Sequence, residues 1–286
     1  MKTAELFKNK TVLSFEIFPP KPTSDEKVIY ETLNALSDLK PDFISVTCGA
    51  GGGNNGEKTV RIASDVKNKY GIESVAHLPC LYLTVPEAEE ILERLRAEGI
   101  ENILALRGDI REGVAPCGEF HHADELITFI KKRGDFNVLA ACYPEGHTES
   151  KDLESDIRYL KKKVDCGADH LVTQLFLSND FYYDFRDRAA KAGINVPVEA
   201  GIMPVTNKAQ TERMVKLCGA SLPKKFMKMM EKYENNAQAL RDAGLAYAIE
   251  QIVDLISQGA DGIHLYTMNN AYIARRIYEA VHSLID

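Results

Sequence analysis

The chain has 286 residues, of which 45% are hydrophobic and 27% charged, and it carries a net charge of −7. This length suits one domain over residues 1–286, because eight strand–helix units close a barrel at about 250 residues. The negative charge argues against a nucleic-acid-binding protein, since such binding needs basic side chains that displace counterions. The six cysteines form no CxxC pair, which argues against a disulfide framework.

The sequence opens without a charged-then-apolar leader, and its apolar runs are far shorter than the roughly 20 residues that span a bilayer. Free, reduced cysteines suit the cytosol. We therefore expect a soluble, cytoplasmic protein that does not insert into membranes.

Short β-rich runs alternate with longer amphipathic segments along the whole chain. The predicted strands are 12–18, 42–48, 73–80, 101–109, 136–144, 169–177, 196–204 and 261–267, and helices between them include 24–39, 86–98, 150–166 and 179–191. The alternation indicates a parallel sheet of the α/β class. Eight units favour a single, closed (β/α)8 TIM barrel over an open doubly wound sheet. The long stretch 206–260 repeats helical spacing, so we predict extra helices before the eighth strand.

Residues 51–56, GGGNNG, follow the second predicted strand and match the GxGxxG pattern of dinucleotide-binding loops. That pattern also requires an acidic residue near the end of the next strand, where this chain has His77, Leu78 and Pro79 instead. The surrounding elements predict a barrel. We therefore interpret the segment as a mobile loop over the barrel mouth that moves when a substrate enters.

Polar side chains stand at the carboxyl ends of otherwise apolar predicted strands, where (β/α)8 enzymes place their chemistry. They are Glu16, Thr47, His77, Asp109, Tyr143, His147 and Gln174. Glu16 carries the sharpest prediction. A carboxyl group within LSFEIFPP should be desolvated, which raises its pKa and lets it remain protonated as an acid near neutral pH. The alternative is a carboxylate paired with a Lys or Arg of the core.

Arg107, Gly108 and Asp109 end the fourth predicted strand. Gly108 permits close approach of the backbone to a flat or phosphorylated ligand, and its neighbours offer opposite charges. The alternative is a local ion pair that closes a turn. His77 and His147 could likewise orient a ligand or serve as structural hydrogen-bonding groups.

Cys48, Cys80 and Cys142 also lie at predicted strand ends. A second functional hypothesis makes them thiolate ligands of zinc in a methyltransferase barrel. Their spacing of tens of residues, with no local ligand pair, argues against it, and cysteine also serves as a small apolar residue. We therefore predict no metal, and the role of these cysteines stays open. A non-catalytic binding barrel is the third alternative.

Eight segments, taken in order, carry a resemblance to a known family. They are SFEIFPPK, ISVTCGA, AHLPC, LALRGD, AACYPEGH, LKKKVDCGADHLVTQLF, GIMPVTN and HLYTMN. In this order they are highly specific, and they span nearly the whole chain. The sequence resembles the methylenetetrahydrofolate reductases, and specifically their short bacterial form.

The resemblance implies a flavoenzyme that reduces 5,10-methylenetetrahydrofolate to 5-methyltetrahydrofolate by ping-pong hydride transfer. Its non-covalent FAD would lie across the carboxyl face of the barrel, where NADH or NADPH and folate take turns against the flavin ring. The positions that match flavin-contacting residues are Thr47, His77, Arg107, Gly108, Asp109, His122, Ala123, Tyr143, His147, Asp156, Lys162 and Lys163. The substrate-binding positions are Glu16, Asp109, Gln174, Met214 and Asn270.

Two residues fit that chemistry on physical grounds. Glu16 can supply the proton that opens the methylene bridge, and an ionised Asp109 would stabilise the cationic iminium that then awaits hydride. The same negative charge would make the flavin harder to reduce. Glu16 and Asp109 are therefore the predicted catalytic residues.

Three positions depart from the family pattern. Met214 stands where we expect an aromatic residue against the nicotinamide donor, Asn270 where bacterial relatives often have Arg, and His122 where we expect Tyr near the flavin. Without the aromatic platform, an electron-donating partner subunit is an alternative to NAD(P)H, as in anaerobic members of the family. We also expect a homo-oligomer. We expect no regulation by S-adenosylmethionine, because the chain ends at Asp286 without the extra domain of eukaryotic relatives.

Overall fold

The computed structural model describes residues 1–20, 25–48 and 55–285. Its strands are β1 (Val12–Ile17), β2 (Phe43–Val46), β3 (Glu73–Pro79), β4 (Asn102–Leu106), β5 (Asn137–Cys142), β6 (His170–Thr173), β7 (Val198–Ile202) and β8 (Gly262–Tyr266). Each strand pairs in parallel with the next in sequence, and β8 pairs with β1 to close the barrel. The structure is the predicted (β/α)8 barrel of eight strands.

Helices alternate with these strands around the outside of the barrel. They are α1 (Lys27–Ser37), α2 (Asn55–Asn68), α3 (Val85–Ala97), α4 (Ala123–Arg133), α5 (Leu153–Asp165), α6 (Asn179–Lys191), α7 (Lys208–Cys218), α8 (Lys224–Tyr233), α9 (Ala237–Ser257) and α10 (Ala271–Val281). Short 3-10 helices, Thr3–Lys8 and His282–Leu284, lie near the two ends. No helix in the described ranges is both long and apolar enough to cross a membrane.

The segment before β8 contains α7, α8 and α9, which confirms the predicted extra helices. Most predicted strands extend past the observed ones, because the polar residues at their carboxyl ends belong to loops. The interpretation of residues 51–56 as a mobile loop is wrong for Asn55 and Gly56, which begin α2. Positions 51–54 lie outside the described residues.

The inner face of the barrel has an apolar cluster at its amino-terminal end and also carries buried polar side chains. Six inward side chains pack together across that end, namely Val12, Phe43, Val75, Leu104, Leu139 and Val172. Leu6 and Phe7 of the first 3-10 helix pack against them. Strand alternation also places Ser14, Glu16, His170, Glu199 and His264 on the inner face. Of these, His170 is the first residue of β6 and its ring lies against Phe7 and Phe43, whereas Glu16 lies near the carboxyl end of β1.

The extra helices α7 and α8 form an apolar cluster of their own with the carboxyl ends of β6 and β7. The buried members are Leu175, Leu177, Met203, Val205, Val215, Phe226, Met230 and Leu240. Gly244 of α9 permits this packing, because a Cβ atom there would lie 1.6 Å from the carbonyl oxygen of Val205. The cluster holds the helices beside the carboxyl face, where chemistry is expected.

Candidate active site

Glu16 lies near the carboxyl end of β1 on the inner face of the barrel, with 7% of its surface exposed. Its Oε2 atom is 3.6 Å from Nε2 of His77 on β3 and 3.6 Å from Nε2 of His264 on β8. The neighbours Phe15 and Ile17 belong instead to the core between strands and helices. The predicted burial of Glu16 is confirmed, and its partners are imidazoles rather than the Lys or Arg of the alternative.

His77 is uncharged at neutral pH. Burial lowers its pKa to about 4, which outweighs the attraction of the Glu16 carboxylate. Within the described structure its Nε2 atom has no hydrogen-bond partner. Glu16 therefore has no fixed cation on the β3 side, and its carboxyl group is not held as the anion of a salt bridge there.

A second set of polar side chains lies deeper in the barrel than Glu16. The Oγ atom of Ser14 is 2.7 Å from Oε1 of Glu199 and 2.6 Å from Nδ1 of His264. His170 on β6 places its Nε2 atom 3.8 Å from Oε2 of Glu199. All of these side chains are buried.

Sequence reasoning missed this deeper set, although a signal was available. Ser14 and Glu16 are two residues apart on β1, and His264 and Tyr266 are two apart on β8, so each pair shares one face of its strand. Alternation alone could therefore have identified these as inward positions. It could not have predicted which of them meet across the barrel.

Arg107, Gly108 and Asp109 follow β4 at the carboxyl face, as predicted. Arg107 makes a bidentate ion pair with Glu149, with N–O distances of 2.5 and 2.9 Å, which raises the pKa of Arg107 and lowers that of Glu149. The ion pair of Arg107 is therefore with Glu149, and the alternative of a local ion pair with Asp109 is wrong. Asp109 is exposed, and Gly108 adopts φ 88°, a left-handed conformation that favours glycine.

Tyr143, His147 and Asp156 lie together in the segment after β5. The rings of Tyr143 and His147 contact edge to face at 4.7 Å. Asp156 accepts hydrogen bonds from the His147 backbone N–H at 3.2 Å and from the Ser150 hydroxyl at 2.7 Å. Burial raises the pKa of Tyr143, so the phenol is neutral at physiological pH.

The two adjacent lysines of α5 point to different places. Lys163 donates to the carbonyl oxygen of Ala141 at 2.5 Å and lies 5.8 Å from the centre of the Tyr143 ring. Lys162 is exposed and pairs with Asp124 of α4 at 2.6 Å. The structure therefore brings Lys163, but not Lys162, into the Tyr143 cluster.

Predicted positions at the amino-terminal ends of helices are more exposed. His122 is the exposed N-cap residue of α4, and Ala123 is its first residue. Asn270 caps α10, and its Oδ1 atom accepts from the Ile273 N–H at 3.2 Å. Asn270 also lines a cleft of about 160 Å³ between the β7–α7 and β8–α10 segments.

Gln174 and Met214 lie on the side of the extra helices. Gln174 follows β6, is partly buried, and accepts from the Leu175 N–H through its own side-chain oxygen at 2.8 Å. Met214 on α7 is partly buried against the apolar cluster of α7 and α8.

The three cysteines of the zinc hypothesis do not form a ligand set. Over the described ranges, no group of three or more His, Cys, Asp or Glu side chains is arranged to hold a metal ion. Burial raises the pKa of Cys80 to about 12 and also raises the pKa of Cys48 and Cys142, which disfavours thiolates. The geometry gives this alternative no support.

Comparison with known proteins decides the family. Residues 2–282 match the methylenetetrahydrofolate reductase family. The chain belongs to this family. Among its methylenetetrahydrofolate reductase relatives, the Escherichia coli (strain K12) enzyme is 34% identical over 95% of this chain and 90% of its own length. The enzyme of Buchnera aphidicola subsp. Acyrthosiphon pisum is 37% identical over 96% of this chain and 92% of its own.

A plant relative and two solved structures extend this comparison. Methylenetetrahydrofolate reductase (NADH) 1 of Arabidopsis thaliana is 36% identical over 91% of this chain and 46% of its own length. An uncharacterized Clostridium thermocellum protein that binds two copies of 5-methyl-5,6,7,8-tetrahydrofolic acid superposes with a TM-score of 0.64 at 14% identity, over 98% of this chain and 97% of its own. Oxaloacetate acetylhydrolase superposes with a TM-score of 0.53 at 13% identity, over 99% of this chain and 84% of its own. At such identities the structures show a shared fold alone.

Proposed function

We propose that this member of the methylenetetrahydrofolate reductase family reduces 5,10-methylenetetrahydrofolate to 5-methyltetrahydrofolate with non-covalent FAD, in a ping-pong reaction with NADH or NADPH. The observation that carries the proposal is Glu16, a buried carboxyl group near the carboxyl end of β1 with imidazoles as its partners. Such a group can hold a proton and deliver it to a substrate at the barrel mouth.

The residues at the carboxyl face fit a large polar ligand. Thr47 Oγ1 and His77 Nε2 are buried without hydrogen-bond partners in the described structure, and such atoms normally find one in a ligand or water. Gly108 leaves little room for a side chain, since a Cβ atom there would lie 3.0 Å from Cβ of Pro79. FAD would be held by these residues and by Arg107, Asp109, Ala123, Tyr143, His147, Asp156 and Lys163. When bound, FAD supplies the two-electron chemistry that the side chains of this chain lack.

Glu16 acts as the general acid in this proposal. Opening the methylene bridge requires a proton on the departing nitrogen, and Glu16 lies on the face that folate would approach. Burial lowers the pKa of His77 to about 4, so His77 is neutral and forms no salt bridge with Glu16. Gln174, which follows β6 at the carboxyl face, has a side-chain amide that can orient the folate ring.

Asp109 acts through its charge. It is exposed at the end of β4, where a bound ligand would shield it from water and strengthen its field. An anion there would stabilise a cationic centre on folate and would make the flavin ring harder to reduce. Met214 and Asn270 complete the substrate side, on α7 and at the start of α10.

The experiment follows flavin absorbance under anaerobic conditions after reconstitution with FAD. NADH or NADPH alone should bleach the flavin, and methylenetetrahydrofolate alone should then restore its colour. Protein that binds no flavin, or colour changes that need both substrates at once, would contradict the proposal. If only an artificial reductant bleaches the flavin while folate still restores it, a partner subunit replaces NAD(P)H as the donor.

A further inference from the structure

Four buried polar side chains form a chain from Glu199 to Glu16 through the barrel interior, with two hydrogen bonds and one longer contact. Glu199 Oε1 lies 2.7 Å from Ser14 Oγ, which lies 2.6 Å from His264 Nδ1. The opposite ring nitrogen, Nε2 of His264, lies 3.6 Å from Oε2 of Glu16. The first contact joins β7 to β1 and the other two join β1 to β8, so the barrel closure itself assembles the chain.

We propose that Glu199 is a positioning residue for proton transfer. It stores a proton, and this proton reaches Glu16 through Ser14 and His264. The inference rests on the proposed function, in which Glu16 is the acid that protonates folate. It assigns a role to a carboxyl group that itself lies too deep to touch a substrate.

The surroundings of Glu199 favour its neutral form. The groups that face it are Ser14 from β1, His170 from β6 and His264 from β8, with Asp42 before β2 acting at longer range. Burial raises the pKa of Glu199 to about 7 and lowers that of His170 to about 3, so His170 supplies no positive charge. The Oε2 atom of Glu199 has no hydrogen-bond partner within the described residues. An ionised carboxylate there would keep one oxygen without a partner in a buried site, which adds to the cost of burying the charge.

The chain can pass a proton without changing its net charge. In one state Glu199 is protonated and donates to Ser14 Oγ, Ser14 donates to His264 Nδ1, and His264 carries its proton on Nε2. When the Glu16 carboxylate takes the Nε2 proton, His264 takes the Ser14 proton on Nδ1, and Ser14 takes the proton of Glu199. Glu16 is then protonated and Glu199 ionised, with Ser14 and His264 neutral as before.

One contact of the chain is longer than a hydrogen bond. The 3.6 Å between His264 Nε2 and Glu16 Oε2 exceeds the usual limit of about 3.2 Å. The last transfer therefore needs a shift of a few tenths of an ångström by either side chain. The two ring nitrogens of His264 make the transfer possible, since one can accept a proton while the other releases one.

Storage of a proton on Glu199 predicts a change in the pH profile of the folate half-reaction. Glu199 holds its proton below its pKa, which burial raises to about 7, and loses that proton as the pH rises through this value. While the proton is stored, Ser14 and His264 can pass it to Glu16. The rate of the folate half-reaction should fall at high pH, and this fall is the alkaline limb of its pH profile. Removing Glu199 should shift the alkaline limb to lower pH.

The test measures reoxidation of reduced, FAD-loaded enzyme by methylenetetrahydrofolate in single turnovers across pH. In Glu199→Gln, which keeps the size of the side chain but cannot carry the proton, we expect the alkaline limb to move down by about one unit. The rate would fall about tenfold above the limb and stay near wild type below it. Reduction by the electron donor should be unchanged at every pH.

Two Ser→Ala variants distinguish the loss of the proton-transfer route from the general effect of removing a buried hydroxyl group. Ser14→Ala should move the limb as Glu199→Gln does, and the double variant should add nothing further, because one chain is broken in each case. Ser74→Ala is the matched control, since Ser74 is equally buried and its hydroxyl has no partner in the described structure. It should leave the limb in place. If Glu199→Gln does not fold, Ser14→Ala decides the question.

Difference infrared spectroscopy gives a readout independent of turnover. Wild type should show the carbonyl stretch of a buried protonated carboxyl that titrates near neutral pH and is lost in Glu199→Gln but kept in Ser74→Ala. An unmoved limb and an unchanged spectrum in Glu199→Gln would overturn the inference, as would equal slowing of both half-reactions at all pH values. Undiminished folate reduction in Glu16→Gln would instead overturn the proposed acid, so the two failures are distinguishable.

Discussion

The interior of the barrel and its rim hold two different kinds of polar side chain. Glu16, Ser14 and Glu199 are 7%, 0% and 0% exposed and come from strands whose register is fixed by pairing. Asp109 and Lys162 are exposed and come from a loop and a helix. In the interior the low dielectric strengthens hydrogen bonds and the effect of each charge. At the rim, water screens a charge until a ligand covers it. Interior groups should therefore control proton transfer, and rim groups binding and potential.

The largest expected effect comes from Glu16→Gln, which keeps the shape of an interior group but removes its proton. General acid catalysis contributes 10²–10⁴-fold, so we expect a loss of about that size in flavin reoxidation by methylenetetrahydrofolate. Flavin content and flavin reduction should stay near wild type, because neither needs the acid. Single-turnover absorbance measures each half-reaction, with the exposed Glu90→Gln on α3 as the control. Equal slowing of both halves would assign Glu16 a structural role.

Asp109→Asn tests the rim by removing a charge at nearly constant volume. The flavin should become easier to reduce, and a shift of about 30 mV corresponds to roughly 1.4 kcal/mol for a two-electron couple. Folate reduction should slow by about tenfold, the same energy expressed as a rate. Redox titration and single-turnover kinetics measure the two quantities. An unchanged midpoint potential with normal folate turnover would place Asp109 away from the reaction.

Met214→Phe tests a smaller rim contribution, that of a contact with the nicotinamide donor. A thioether can cover a ring but offers no flat stacking surface, and aromatic pairs contribute about 0.5–1.5 kcal/mol. The half-saturation concentration for NADH should fall by about 2–10-fold. Stopped-flow bleaching of the flavin measures it, with Met227→Phe on α8 as the control. No change in Met214→Phe would remove α7 from the donor site.

Lys162→Gln should have the smallest effect, because it breaks only the exposed pair with Asp124. Such pairs contribute about 0–1 kcal/mol, so urea unfolding should shift very little. The Kd for FAD should also stay near wild type, whereas Lys163→Gln should weaken it. Comparable losses of flavin affinity in the two variants would return Lys162 to the binding set.

The barrel, its eight strands and the extra helices could be predicted because each depends on local periodicity. The burial of Glu16 could be predicted because it depends on the alternation of a single strand. Contacts between residues on different elements could not be predicted in this way. The partner of Arg107 is Glu149, 42 residues later, and no local pattern indicates that pair.

What the sequence by itself determined is the order of strands and helices, the family, and which residues stand at strand ends, since these are encoded in consecutive positions. The tertiary structure alone decided that Ser14, Glu199 and His264 meet behind Glu16. These residues are up to 250 positions apart, and only the pairing of β7 with β8 and of β8 with β1 brings them together. The physical reason is that barrel closure converts separate inward-facing positions into one buried, weakly screened cluster.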